Sequence, residues 1–153
     1  IDPDGKLTRI IDSVSRPNGI AISIDQKTLF VADNREGGAK RVLMAFDLGT
    51  DGSAMNGRVL YDFGSVRGID GMTLDSAGRI WATAGSKEKA GVHVFEVNAD
   101  RTAAKLRTAV NTPEDPTNCT FGGLGRDVLY ITTATSLFRI RTTVKGVASP
   151  PGK

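Results

Sequence analysis

The same pattern of residues occurs three times in this chain, and that repetition limits the fold more than any other feature. Asn18-Gly-Ile-Ala-Ile-Ser leads through a turn at Ile24-Asp-Gln-Lys into Thr28-Leu-Phe-Val-Ala-Asp. Asp70-Gly-Met-Thr-Leu-Asp leads through Ser76-Ala-Gly-Arg into Ile80-Trp-Ala-Thr-Ala. Asn118-Cys-Thr-Phe-Gly-Gly leads through Leu124-Gly-Arg-Asp into Val128-Leu-Tyr-Ile-Thr-Thr. Asn18 and Asp70 are 52 positions apart, Asp70 and Asn118 48. That period is the length of one four-stranded propeller blade. The first two periods each hold two further strand-like runs bounded by Gly and Asp, such as Arg41-Val-Leu-Met-Ala-Phe-Asp-Leu and Arg58-Val-Leu-Tyr-Asp-Phe in the first, and the third holds one, Ser136-Leu-Phe-Arg-Ile-Arg-Thr. No window shows a capped helical period.

The reading is therefore all-β: a partial propeller of about two and a half to three blades, over residues 17–64, 69–112 and 116–143 of a single domain spanning 1–153. The opening Ile1-Asp-Pro-Asp-Gly-Lys-Leu reads as part of a hairpin, giving the outer strand of an earlier blade. A propeller closes with four or more blades, so further blades are expected on the N-terminal side. The Pro- and Gly-rich stretch from Lys145 onward reads as a natural end. The exposed sheet edges of such a part would pair with the missing N-terminal half or with a second copy.

Composition narrows the function classes. Twenty basic and 17 acidic residues are scattered along the 153 positions with no cluster of Lys and Arg interleaved with aromatics, so no nucleic-acid footprint is present. No apolar run reaches the length of a membrane span, no leader peptide is visible, and the compartment stays open. A single cysteine, Cys119, excludes an intrachain disulfide framework and a cysteine-rich zinc site.

The chemistry-bearing candidates are Asn18, Asp70 and Asn118. The first strand of each blade lines the channel, so residues just ahead of it converge on one axis. Amide and carboxylate oxygens suit a hard cation such as Ca²⁺. The competing reading is turn chemistry, since Asn-Gly and Asp-Gly favour positive φ. Against it, each repeat has its hairpin turn about seven residues later, and Asn118-Cys119 is no turn dipeptide. Other candidates read as structural. His93 lies within a strand, and Trp81 and Cys119 are core residues. Gly122-Gly-Leu-Gly is a turn with no helix after it, and Asn118-Cys-Thr is a sequon inside a strand. Asp25, Asp75 and Asp127 are expected to be turn residues with solvated side chains.

Arg16-Pro-Asn-Gly-Ile-Ala-Ile-Ser through Leu29-Phe-Val-Ala-Asp, Ile69-Asp-Gly-Met-Thr-Leu-Asp through Arg79-Ile-Trp-Ala, and Pro116-Thr-Asn-Cys-Thr-Phe-Gly-Gly through Leu129-Tyr-Ile-Thr-Thr-Ala together resemble the senescence marker protein, gluconolactonase and luciferin-regenerating enzyme family. The resemblance implies a six-bladed propeller with one divalent cation at the channel mouth, usually calcium, with Zn²⁺, Mg²⁺ or Mn²⁺ as alternatives. It makes Asn18 a metal ligand, Asp70 both metal ligand and catalytic base, and Asn118 a substrate contact. The family's glutamate ligand and a further asparagine fall upstream of Ile1, so this chain by itself would bind metal weakly and catalyse little. The implied reaction is metal-dependent hydrolysis of a small lactone or ester. The alternatives are organophosphate hydrolysis on the same scaffold, a non-catalytic binding propeller, and a purely structural calcium.

Overall fold

The computed structural model describes residues 4–35 and 41–148. Three antiparallel meanders follow one another along the chain. The first sheet is β1 (Pro17–Ile22), β2 (Thr28–Asn34), β3 (Arg41–Leu48) and β4 (Ala54–Asp62), paired in that order. The second is β5 (Met72–Leu74), β6 (Ile80–Ala84), β7 (Gly91–Val97) and β8 (Ala104–Asn111). The third is β9 (Pro116–Gly122), β10 (Val128–Thr133) and β11 (Leu137–Arg141). The only helical element among the described residues is a single 3-10 turn at Lys87–Lys89. None of them forms a helix long and apolar enough to cross a membrane.

The repeat sets the turns. The first hairpin of each sheet has a left-handed residue eight positions after the repeated polar residue: Gln26 (φ 61°), Gly78 (φ 79°) and Arg126 (φ 55°), joined in the third by Gly123 (φ 80°). A tight reversal that keeps the strands' right-handed twist needs positive φ. The same conformation thus recurs at the same step of the period, whichever residue type stands there.

Neighbouring sheets pack face to face, and the central strands carry the core. Phe30, Ala32, Leu43, Ala45 and Leu60 of the first sheet meet Met72, Leu74, Ile80, Ala82 and Phe95 of the second. Trp81, Val92 and Val94 on the second sheet's other face meet Cys119, Leu129 and Ile131 of the third. Strands buried on both faces cannot alternate apolar with polar, so β2, β3 and β6 read as near-continuous apolar runs. Truncating a side chain such as Leu43, fully buried, would cost about 2–5 kcal/mol. The inner strands β1, β5 and β9 lie side by side, which is the propeller arrangement.

Two expectations need correcting. No strand precedes β1 among the described residues: 5–12 are irregular, and Ile11 and Val14 pack on the outer face of the first sheet over Leu29, Val31, Val42, Met44 and Phe46. A strand forms by pairing, and this segment pairs with no strand among the described residues. What it gains instead is cover for an apolar face. Residues 1–3 of the expected hairpin lie outside the described residues.

Asp75 is not a solvated turn residue. It is wholly buried; its Oδ1 accepts from the Ala77 and Arg79 amides at 2.9 and 3.1 Å. Its Oδ2 accepts from Arg79 Nε at 2.6 Å and Trp81 Nε1 at 2.9 Å. A buried carboxylate persists when paired and fully hydrogen-bonded. Asp25 and Asp127 do keep surface in water, paired with Arg101 and Arg141.

The C-terminal stretch, as far as it is described, is docked: Lys145 O accepts from the Ser76 amide at 2.7 Å, and Gly146 bridges Asp75. Residues 149–153 of that stretch lie outside the described residues.

Candidate active site

Asn18, Asp70 and Asn118 meet at one end of the three inner strands, and each is presented by a break in strand pairing. In β1, Pro17 pairs with Asp33 and Ile20 with Val31, so Asn18 and Gly19 together oppose Ala32. Ahead of β5, the Asp70 amide donates to Thr83 O and the Thr83 amide donates to Gly71 O, both at 2.9 Å, so Asp70 and Gly71 share Thr83. In β9, Asn118 pairs with Thr132 and Pro116 with Thr133, leaving Thr117 extra. Such bulges turn a strand locally and re-aim its side chains. Asn18 and Asn118 therefore lie inside their strands rather than just ahead of them, and only Asp70 precedes its own.

The turn reading of Asn-Gly and Asp-Gly is not realised. None of Asn18, Gly19, Asp70 and Gly71 has positive φ. The glycines are there for close approach. A Cβ on Gly19 would stand 2.8 Å from Asp70 O, and one on Gly71 2.1 Å from Asn118 Oδ1. Each glycine makes room for the polar residue of the next repeat.

The central contact joins residues one full period apart: Asn18 Nδ2 donates to Asp70 Oδ1 at 2.8 Å. Asn118 Oδ1 accepts from the Cys119 amide at 2.8 Å and lies over Gly71. Asn18 and Asn118 are exposed, and the Asp70 side chain is 27% exposed. Asn34 Nδ2 donates to Ile69 O at 2.8 Å and steadies the loop that carries Asp70.

Sequence reasoning missed Arg67. Its Nη2 donates to Asp70 Oδ2, and its Nη1 donates to Gly85 O and Pro116 O, both at 3.0 Å. The repeat gives no signal for it, because the equivalent positions hold Ser15 and Asp115. Only the folded chain brings β6's exit and β9's start within reach of one guanidinium.

The remaining candidates stay outside the site. His93, in β7, bonds Lys89 O at 3.1 Å, and burial pushes its imidazole below the ordinary value. The Cys119 thiol is pushed up to about 12 by burial and donates to Trp81 O at 3.4 Å, which makes it inert. The groove lined by Ser23, Asp25, Ala77 and Arg101 opens at the turns joining β1 to β2 and β5 to β6, the far end of the inner strands.

The donors in the polar row are oxygens only, from one carboxylate and neutral amides. That chemistry fits a hard divalent cation in kind. No three His, Cys, Asp or Glu side chains cluster among the described residues, so these donors fill only part of a shell of six to eight oxygens.

Residues 1–135 match the family model described as "SMP-30/Gluconolactonase/LRE-like region". The chain is 34% identical over 134 residues to pentonolactonase XacC of Haloferax volcanii, covering 88% of this chain and 43% of that protein. It is 29% identical over 154 residues to a gluconolactonase of Zymomonas mobilis, covering 95% and 40%. Among solved structures, a gluconolactonase from Xanthomonas campestris superposes with a TM-score of 0.72 at 31% identity, covering 91% of this chain and 42% of that one. The chain spans about half the length of the curated relatives it matches.

Proposed function

Because this chain belongs to the SMP-30/gluconolactonase/LRE-like family, we propose that it carries part of the active site of a metal-dependent lactone hydrolase, with Asp70 as its general base. The observation that carries this reading is the 2.8 Å contact between Asn18 and Asp70. Two residues 52 positions apart, on different blades, share one polar point at the mouth of the inner strands. The likeness to a pentonolactonase and to gluconolactonases supports a sugar lactone as the substrate class.

In this mechanism a water oxygen attacks the lactone carbonyl carbon and the water's proton passes to the Asp70 carboxylate. The ring C–O bond then breaks, the ring oxygen takes up a proton, and an open hydroxy acid leaves. Asn18 fixes one Asp70 oxygen through its amide, so the base is aimed before substrate arrives. Asn118, exposed beside Gly71, holds substrate by hydrogen bonding. Asn18 and Asp70 would also hold one divalent cation, calcium by donor type, with Zn²⁺, Mg²⁺ or Mn²⁺ as alternatives. Such an ion supplies Lewis-acid polarisation of the carbonyl.

The test is hydrolysis of a panel of sugar and aliphatic lactones by the full-length protein, with calcium and with chelator. Turnover should depend on the cation and fall by at least about 100-fold in Asp70→Ala. Full activity in Asp70→Ala would remove Asp70 from the mechanism. No turnover on any lactone, with calcium still raising the melting temperature, would leave a structural cation in place of a catalytic one.

A further inference from the structure

We propose that Arg67 sets how tightly the site holds a divalent cation, by keeping a fixed guanidinium on the carboxylate that receives it. This rests on the cation reading of Asn18 and Asp70. Arg67 reaches three segments at once: Asp70 in its own loop, Gly85 O after β6, and Pro116 O at the start of β9. The two carbonyl bonds run from Nη1 and leave Nη2 on Asp70 Oδ2. A guanidinium is planar and presents its donors as a rigid fork, so the group cannot leave Asp70 without breaking bonds to two neighbouring strands.

Both carboxylate oxygens therefore carry an N–H donor, Asn18 on Oδ1 and Arg67 on Oδ2. The pair Asp70 and Arg67 has no net charge, and Asp70 belongs to no group of three or more His, Cys, Asp or Glu side chains among the described residues. A divalent cation on Asp70 meets a positive charge bound to the same carboxylate, and the repulsion is weakly screened because Arg67 is only 27% exposed. Holding Asp70 still works in the opposite direction, since a pre-aimed ligand loses less freedom on binding. That gain is the smaller one: Asp is a short side chain, and Asn18 alone still fixes one oxygen. Charge wins, and the result is a site that fills and empties with cation concentration rather than one that retains its ion.

The experiment is calorimetric titration of calcium into the chelator-treated full-length protein, its Arg67→Gln and its Arg67→Lys variants. The binding counted is the part lost in Asp70→Asn. Arg67→Gln removes the charge and should bind calcium about tenfold more tightly. Arg67→Lys keeps the charge while losing the fork, and should stay within about twofold of the parent. Unchanged or weaker binding in Arg67→Gln would overturn the role of Arg67 and leave the cation site standing. Absence of Asp70-dependent binding in both the parent and Arg67→Gln would overturn the cation reading, and this inference with it. If thermal melting shows that Arg67→Gln does not fold, Arg67→Lys decides alone: a change beyond about twofold in either direction refutes the proposal.

Discussion

Gly71 is the residue on which the arrangement of the site most depends. Its missing side chain leaves the space that Asn118 occupies: a Cβ would stand 2.1 Å from Asn118 Oδ1, 2.6 Å from its Cγ and 2.8 Å from its Cα. The last of these is backbone, so the overlap cannot be relieved by turning a flexible tip. Gly71→Ala should therefore cost about 1–3 kcal/mol of stability. It should also displace Asn118 from Asp70's loop and reduce lactone turnover by about 100-fold. Gly78→Ala is the control. Its Cβ would meet only Ile24 Cδ1 at 3.7 Å, but its φ of 79° costs an L-residue about 1–2 kcal/mol. Melting curves should show both variants destabilised, with activity at permissive temperature lost only in Gly71→Ala. Equal activity in the two would mean that Asn118 does not need its place over Gly71.

At the scale of elements, the site end of the third sheet is held by one carboxylate. Glu114, in the loop joining β8 to β9, accepts from the Ser136 and Thr133 hydroxyls at 2.6 Å each, from the Thr135 amide at 3.0 Å and from the Thr135 hydroxyl at 3.1 Å. It thereby ties the β9 approach to the β10–β11 turn. The Ser136 hydroxyl foremost, then Thr133 and the Thr135 amide, hold its carboxyl down to about 2 from an ordinary 4.5. A depressed folded-state value means that ionised Glu114 favours the folded state. That stabilisation is complete above pH 4.5 and is lost as pH falls through about 2. Glu114→Gln should accordingly be less stable than the parent at neutral pH, and the difference should close as pH falls from 4.5 towards 2. Denaturant melts across that range would check it. A gap that stays constant with pH would mean that the carboxylate's charge is not what holds the turn.

Over the whole molecule, the first two sheets are fastened at the end away from the site by Arg101, on the β7–β8 turn. Its Nη2 donates to Asp25 Oδ2 at 2.5 Å, its Nη1 donates to the Thr28 hydroxyl, and its carbonyl accepts from Arg58 Nε at 2.6 Å. The core between these sheets does most of the holding, and Arg101 fixes their register at the rim. Both charged side chains keep part of their surface in water, 29% for Arg101 and 42% for Asp25, so solvent screens the pair. Arg101→Ala should cost about 1 kcal/mol. It should also speed hydrogen exchange at the Ser23 and Thr28 amides without moving the site, which lies at the opposite end of β1 and β5. A larger loss accompanied by loss of turnover would show that the sheets move as units against one another.

The architecture and the convergence of three polar residues at one end of the inner strands are legible in the residues alone. A 52- and 48-residue period of apolar strands broken by turns has few solutions, because each unit must bury its faces against its neighbours. The same period marked Asn18, Asp70 and Asn118, since equivalent positions on successive blades fall at one end of the inner strands. Relations that cross repeats without repeating leave no such trace in the chain. Arg67 has Ser15 and Asp115 at its equivalent positions, so no pattern singled it out. Its role follows from where β6 ends and β9 begins. Asp75 looked like an ordinary turn acid until Trp81 and Arg79 closed over it. The close approach that Gly19 and Gly71 allow shows only when the neighbouring repeat is set against them. Periodicity reports what a residue does within its own strand and turn. Contacts between blades depend on pairs of positions far apart in the chain, and these become visible only when the sheets are packed.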